Sequence, residues 1–286
     1  MRSNGSTKDP GNGKKSMSGS DKVFAGSIPS IYEDYLVPLI FEGFAEDLAR
    51  RVAALCPKSV LETAAGTGVV TRALATRLPA DAQYQVTDLN QPMLEMAIQR
   101  QGEDPRISWQ RADALALPTP NAAFDVVCCQ FGVMFFPDRM HGYREAKRVL
   151  KPGGTFVFNV WDRIEENDFA NEVTIALAQL FPSNPPRFLA RTPHGYHDET
   201  LITEELVGAG FRSVRIEKRS EQSRAPSPQH PAIAYCQGTP LRSEIEAHGA
   251  DELIAATEHA AAAIASRHGH GEVTGTVKAL VIIAEI

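Results

Sequence analysis

Val60-Leu61-Glu62-Thr63-Ala64-Ala65-Gly66-Thr67-Gly68 begins as an apolar run, sets an acid at its end, and closes with two glycines flanking one residue. An amphipathic run, Val69 to Leu78, follows. That order reads as strand, tight turn, helix. Glycine has no Cβ, so the chain can turn sharply there and a ligand can approach the backbone. In open α/β sheets, nucleotides bind at such a loop, at the carboxyl end of a parallel strand. The same pattern also fits a plain corner in any α/β protein. Two common nucleotide loops are disfavoured. A dinucleotide fingerprint needs a third glycine where Thr71 stands, and the Gly-Lys-Ser/Thr ending of a phosphate loop is absent. Glu62 would repel a pyrophosphate, and it suits a ligand with an ammonium or other cationic group.

The stretch resembles motif I of the class I S-adenosylmethionine (AdoMet) methyltransferases, with Ala64 in place of the first glycine. Three later stretches extend the likeness. Ala82 to Asp88 alternates apolar and polar residues and ends on an acid about twenty residues past the glycines, the ribose position of nucleotide folds. The other reading of Asp88 is a cap on the helix that Asn90-Gln91-Pro92-Met93 begins, for which Asn90 is itself a plausible cap. Ile107 to Gln110 is a third strand, followed by Asp113 and Ala114, where the family holds adenine. Lys151-Pro152-Gly153-Gly154 ahead of the strand Thr155 to Trp161 is a further hallmark, a sharp corner without ligand contact.

The resemblance implies a Rossmann-like α/β fold. Its mostly parallel seven-stranded sheet has the order 3-2-1-4-5-7-6, an antiparallel last strand, helices on both faces and a helical cap. It implies that Glu62, Ala64, Gly66 and Gly68 frame the methionine end of AdoMet. Asp88 would hold the ribose and Asp113 with Ala114 the adenine, Met93 would lie against the base, and Leu89 would be a further cofactor contact. Gln130, at the end of the apolar fourth strand Phe124 to Gln130, can offer an amide to the amino-acid group. In the following Phe131 to Asp138, Phe131 and Met134 suit an apolar wall, while Phe135 and Phe136 read as core.

Residues 1–20 are Gly, Ser, Asn and Lys with almost nothing apolar, which predicts a disordered tail. It contains no signal-peptide core, so cytoplasmic residence is expected. The domain proper is read as 21–286. Apolar residues between Ile28 and Leu55 recur at helical spacing, broken once near Pro38, which predicts two helices. They either pack on a sheet edge or form a lid, with Tyr32 and Tyr35 at its start. Cap insertions are expected at about 162–200 and 226–270. Strands are expected at Ser213 to Lys218 and Thr276 to Ile286.

The chain has 286 residues, 43% hydrophobic and 22% charged, and a formal charge of -6, so no broad basic face for nucleic acid is indicated. No apolar run reaches the roughly 18 residues of a membrane helix. Cys56, Cys128, Cys129 and Cys236 form no C-x-x-C pair and read as buried thiols, and no metal site is expected.

The reaction expected is methyl transfer to a small acceptor by in-line displacement at the cationic sulfur, leaving S-adenosylhomocysteine (AdoHcy). Such chemistry rests on orientation, worth about 7–11 kcal/mol. A base is needed only if the acceptor must lose a proton. His194, His197 and Tyr32 are candidates, although each histidine also fits a solvated or capping role. A nicotinamide-dependent oxidoreductase shares the first strand, the loop and the ribose acid, but Thr71, Glu62 and the lack of a Tyr-x-x-x-Lys pair speak against it. A non-catalytic AdoMet-binding protein is the second alternative. The oligomeric state, the acceptor and its accepting atom are not encoded in any motif of the chain.

Overall fold

The computed structural model describes residues 28–249 and 251–286. The expected tail lies outside them. Seven strands make one sheet in the order β3-β2-β1-β4-β5-β7-β6. They are β1 (Ser59–Glu62), β2 (Gln83–Asp88), β3 (Ile107–Arg111), β4 (Phe124–Gln130), β5 (Leu150–Trp161), β6 (Ser213–Ala225) and β7 (Val273–Glu285). β1 to β5 run parallel, and β7 lies antiparallel between β5 and β6. The order turns back between β1 and β4, the crevice where open α/β sheets bind ligands.

Burial follows position. All four residues of β1 are buried, as a strand covered on both faces requires. β6 closes one edge, and its charged residues (Arg215, Glu217, Arg219, Glu221) discourage pairing with another sheet. β6 and β7 run well past the limits read from sequence. β5 leaves the ladder at Trp161, opposite Ala279. The β6–β7 pair continues from Ser220/Lys278 to Ala225/Val273. Beyond β5 these two strands pair with each other, and the N–H groups of Thr276 and Lys278 turn to Asp168 and Asn167, so the pair overhangs the carboxyl rim of the sheet as a wall.

The helical segment 28–54 has no break at Pro38. Tyr32–Phe41 instead runs in the wider π register, and the N–H of Glu42 donates to Val37 O five residues back. Proline lacks the N–H and crowds the carbonyl four residues earlier, and a wider turn relieves both faults. The segment is tied down on two sides. Arg72 pairs with Glu33 at 2.7 Å and Arg100 with Asp34 at 3.1 Å, while Ser223 Oγ donates to Leu39 O at 2.8 Å.

Both insertions are largely helical. Asp168–Leu180, Gln229–Gln237 and Glu252–His268 pack against one another beside the β6–β7 wall. Tyr196 anchors the first insertion, its hydroxyl donating to Glu205 at 2.6 Å and bonding Tyr143 at 3.0 Å. Cys128, Cys129 and Cys236 are buried, but Cys56 is exposed, against expectation. It lies beyond the end of Glu42–Ala54, before the chain enters the sheet. Among the described residues, no helix is long and apolar enough to cross a membrane.

Candidate functional site

The loop after β1 is shaped by its φ angles. Gly66 and Gly68 are left-handed, at +59° and +80°, and Ala64 is left-handed at +53° despite its Cβ. A Cβ on Gly66 would point toward Met93 Cε (3.8 Å) and Tyr32 Oη (3.9 Å). A Cβ on Gly68 would lie 2.9 Å from Ala97 Cβ. Gly66 therefore faces open space, whereas Gly68 lets the helix Gln91–Gln101 approach.

That space is a cleft of about 770 Å³, counting its mouth, along the carboxyl ends of β1 to β4. Ala64, Gly66, Asp88, Leu89, Met93, Asp113, Ala114 and Gln130 line it together. Five strand and helix ends supply them, none adjacent in sequence except where a loop doubles. Asn90, Ala112 and Leu115 join them, as backbone neighbours of the acids.

Two expected residues are elsewhere. Glu62 is buried under the loop and does not line the cleft. Its Oε2 accepts from Thr71 Oγ1 at 2.7 Å and from the Tyr84 hydroxyl. Burial pushes its carboxyl up to about 7, against the lowering of those two bonds. The acid thus holds the loop, and Thr71, which excludes a dinucleotide fingerprint, is one of its partners. Gly68 is the second: it packs against Ala97 and does not line the cleft.

Asp88 joins two loops. Its Oδ2 accepts from Gly66 N–H at 2.8 Å and its Oδ1 from Asn90 N–H at 2.7 Å. Asn90 makes no side-chain cap, and Asp88, which accepts from the Asn90 N–H, braces the turn ahead of the helix rather than capping it. Burial raises the carboxyl of Asp88, and the N–H donors oppose the rise. Asp113 is exposed on the rim, with Oδ1 accepting from Leu115 N–H at 2.9 Å.

A second cavity, about 560 Å³, adjoins the cleft, and Tyr32, Phe131 and Phe135 line both. Phe131 is held left-handed (φ +50°) and stacks on Trp161 at 3.6 Å between centroids. Phe135 and Phe136 line the cleft while also serving the core: Phe136 is buried within it, and Phe135 is half-buried against it. Met134 is buried and lines neither cavity. The short turn Val133–Phe135 buries Val133 and Met134 and leaves Phe135 at the space.

Of the candidate bases, His194 lines the second cavity, and His197 lines neither. His197 Nδ1 bonds to His194 O at 2.9 Å and so braces the loop. Burial, then the negative charges of Asp88 and Glu33, push the Tyr32 hydroxyl well above the usual tyrosine range, which disfavours its phenolate. Trp161, Phe188, Leu189 and Tyr235, also in the second cavity, carried no sequence signal, because apolar cap residues and core residues look alike.

A family model described as a methyltransferase domain matches residues 60–154. The chain is 40% identical over 183 residues to the demethylmenaquinone methyltransferase of Thermus thermophilus, covering 60% of this chain and 81% of that one. It is 38% identical over 172 residues to the ubiquinone/menaquinone biosynthesis C-methyltransferase UbiE of Caulobacter vibrioides, covering 54% and 68%. Among solved structures, a putative type II methyltransferase from Anaeromyxobacter dehalogenans superposes with a TM-score of 0.57 at 17% identity, covering 84% and 95%. Sheet order and rim cleft define the class, a Rossmann-like methyltransferase fold. With those relatives, the chain belongs to the class I AdoMet-dependent methyltransferases of the ubiquinone-biosynthesis type. It is an enzyme, and AdoMet is its methyl donor.

Proposed function

We propose that the cleft between the ends of β1 and β4 binds AdoMet and that the adjoining cavity binds a small, largely apolar methyl acceptor. The observation that carries this is the convergence of Gly66, Asp88, Asp113, Ala114 and Gln130 on one cleft. The donor set of Asp88 fits. A carboxylate offers about four lone-pair sites, and two are used by Gly66 and Asn90. Two acceptor sites are left, the number a ribose diol needs. Gly66 fits as well, since a Cβ there would stand in the ligand's space.

In this reading Asp113 accepts from the adenine amino group and the Ala114 N–H serves a ring nitrogen. Met93 and Leu89 flank the base, and Gln130 meets the amino-acid end. AdoMet supplies a methyl on a cationic sulfur, already activated for displacement. The chain orients the acceptor, and its apolar cavity keeps water away from the reacting atoms. Segment 28–55 serves as lid, through Tyr32, and segments 162–200 and 226–270 as acceptor cap. The reading carries no role for nucleic acid and sets the reaction in the cytoplasm, which fractionation of cells expressing the tagged chain tests.

Calorimetry with AdoMet, AdoHcy and NAD tests the cofactor assignment. Binding of AdoMet and AdoHcy without NAD is expected, and NAD binding alone would end the reading. Asp88→Ala in a folded protein is expected to weaken AdoMet by at least about tenfold, because two ribose bonds go and the loop loosens. Unchanged affinity would move the site elsewhere. Labelled AdoMet with a metabolite extract separates an enzyme with this site from a mere binder.

A further inference from the structure

Asn159 is the one polar residue between Phe156 and Trp161 on β5, and it is buried. It lines neither cavity, and it stands opposite Gln130 in the β4–β5 ladder. It lies beyond residue 154, where the family model ends. Its side chain belongs to a relay of hydrogen bonds with a backbone group at each end. Phe131 N–H donates to Asn159 Oδ1 at 2.9 Å, Asn159 Nδ2 donates to Gln130 Oε1 at 3.5 Å, and Gln130 Nε2 donates to Phe41 O at 3.4 Å. The two ends fix the direction of both amides. An N–H can only donate, so turning over Asn159 would set donor against donor at Phe131. A carbonyl can only accept, so turning over Gln130 would set acceptor against acceptor at Phe41. The two bonds to Gln130 are long, so its amide is held by the agreement of three bonds rather than by the strength of one.

Gln130 lines the cofactor cleft. A side-chain amide has two N–H donors and two lone pairs on its oxygen. The relay uses one of each and leaves one donor and one acceptor. A carboxylate needs the first and an ammonium the second, and an amino-acid group carries both. We infer that Asn159 is a positioning residue for the methyl donor, fixing from outside the cleft which end of the Gln130 amide meets the carboxylate of AdoMet and which meets its ammonium. This rests on the placement of AdoMet proposed above. Without the Asn159 side chain, Gln130 keeps only its bond to Phe41, and its amide is free to turn. Hydrogen bonds to charged groups are stronger than neutral ones, so a misdirected amide costs affinity at that end of the ligand and nowhere else.

AdoHcy and 5′-methylthioadenosine share the adenosine and the thioether sulfur, and only AdoHcy carries the amino-acid group, so calorimetry with both isolates that end. Asn159→Leu removes the amide at nearly constant size, and the backbone carbonyl at 159 still accepts from Phe131 N–H at 3.2 Å. It is expected to weaken AdoHcy at least about fivefold and 5′-methylthioadenosine less than about twofold. Gln130→Ala should show the same selectivity. Adding Asn159→Leu to it should weaken AdoHcy by less than about twofold more, because the two residues act through one amide. Equal weakening of both ligands, as a merely structural role would give, unchanged AdoHcy affinity, or additive losses in the double variant would overturn the inference. If Asn159→Leu does not fold, a crystal structure of the unaltered chain with AdoHcy decides. A Gln130 amide bonded both to Asn159 and to the amino-acid group supports the inference, and either bond missing overturns it. Gln130→Ala that weakens both ligands alike would instead move the amino-acid end away from Gln130, and no AdoHcy binding by the unaltered chain would end the cofactor placement. The inference falls with either.

Discussion

Glu62 and Asp88 end neighbouring strands, both are buried, and they do different work. Asp88 faces the cleft and holds Gly66 and Asn90 by their N–H groups. Glu62 faces inward, to Thr71 and Tyr84. Its carboxyl, raised from 4.5 to about 7, makes stability depend on pH. Between those values the folded chain holds a proton that the unfolded chain has released. Stability therefore falls as pH rises from about 4.5 to about 7, and the loss is complete above. Glu62→Gln should remove that slope, seen in urea midpoints at pH 5 and pH 8. At pH 8 it should stabilise by a few kcal/mol at most, from about 1.4 kcal/mol per pKa unit. In the sequence both acids appear at strand ends, which exposes their position but not their direction. A four-residue strand buried on both faces shows no alternation by which to tell cleft from core.

Two loops meet at the element scale, one after β1 and one after β4. A Cβ on Gly132 would lie 2.6 Å from both Ala64 Cβ and Cys129 Sγ. Ala64, standing at the first glycine position of the motif it resembles, is thus matched by a glycine across the crevice. Gly132→Ala should cost about 1–3 kcal/mol by overpacking. Adding Ala64→Gly should restore part of it, since one of the two clashes goes and a left-handed alanine is relieved. Denaturant unfolding of the two single variants and the double gives the coupling. The N-terminal segment is the other element in play. Arg72 supports buried Glu33, whose Oε2 has no partner. Arg72→Ala leaves that carboxylate unpaired, a loss of about 3–5 kcal/mol if the segment stays docked. Faster hydrogen exchange over residues 28–41, with β4 and β5 still protected, is the expected sign that the segment undocks instead.

Over the whole molecule, β7 joins what the chain order keeps apart. It pairs with β5 on one side and β6 on the other, and Ile282 sits fully buried between Phe158 and Ile216. Ile282→Ala should cost about 2–5 kcal/mol in a single cooperative transition followed by denaturant. A separate, early loss of β6 would show that the two sides of β7 unfold independently. The glycine loop, the acids at the ends of β2 and β3 and the Lys-Pro-Gly-Gly corner all announce themselves locally. Each is a short-range demand of a turn or strand end, and their order along the chain was enough for fold and class. The second cavity is different. Its walls come from residues as distant as Tyr32, Phe131, His194 and Val277, all apolar or neutral types that pack equally well in a core. Its shape follows from the overhang of β6 and β7 and from helices laid across it. Which side of a packed ring faces space is a property of the assembled chain, because burial depends on neighbours that no local pattern names.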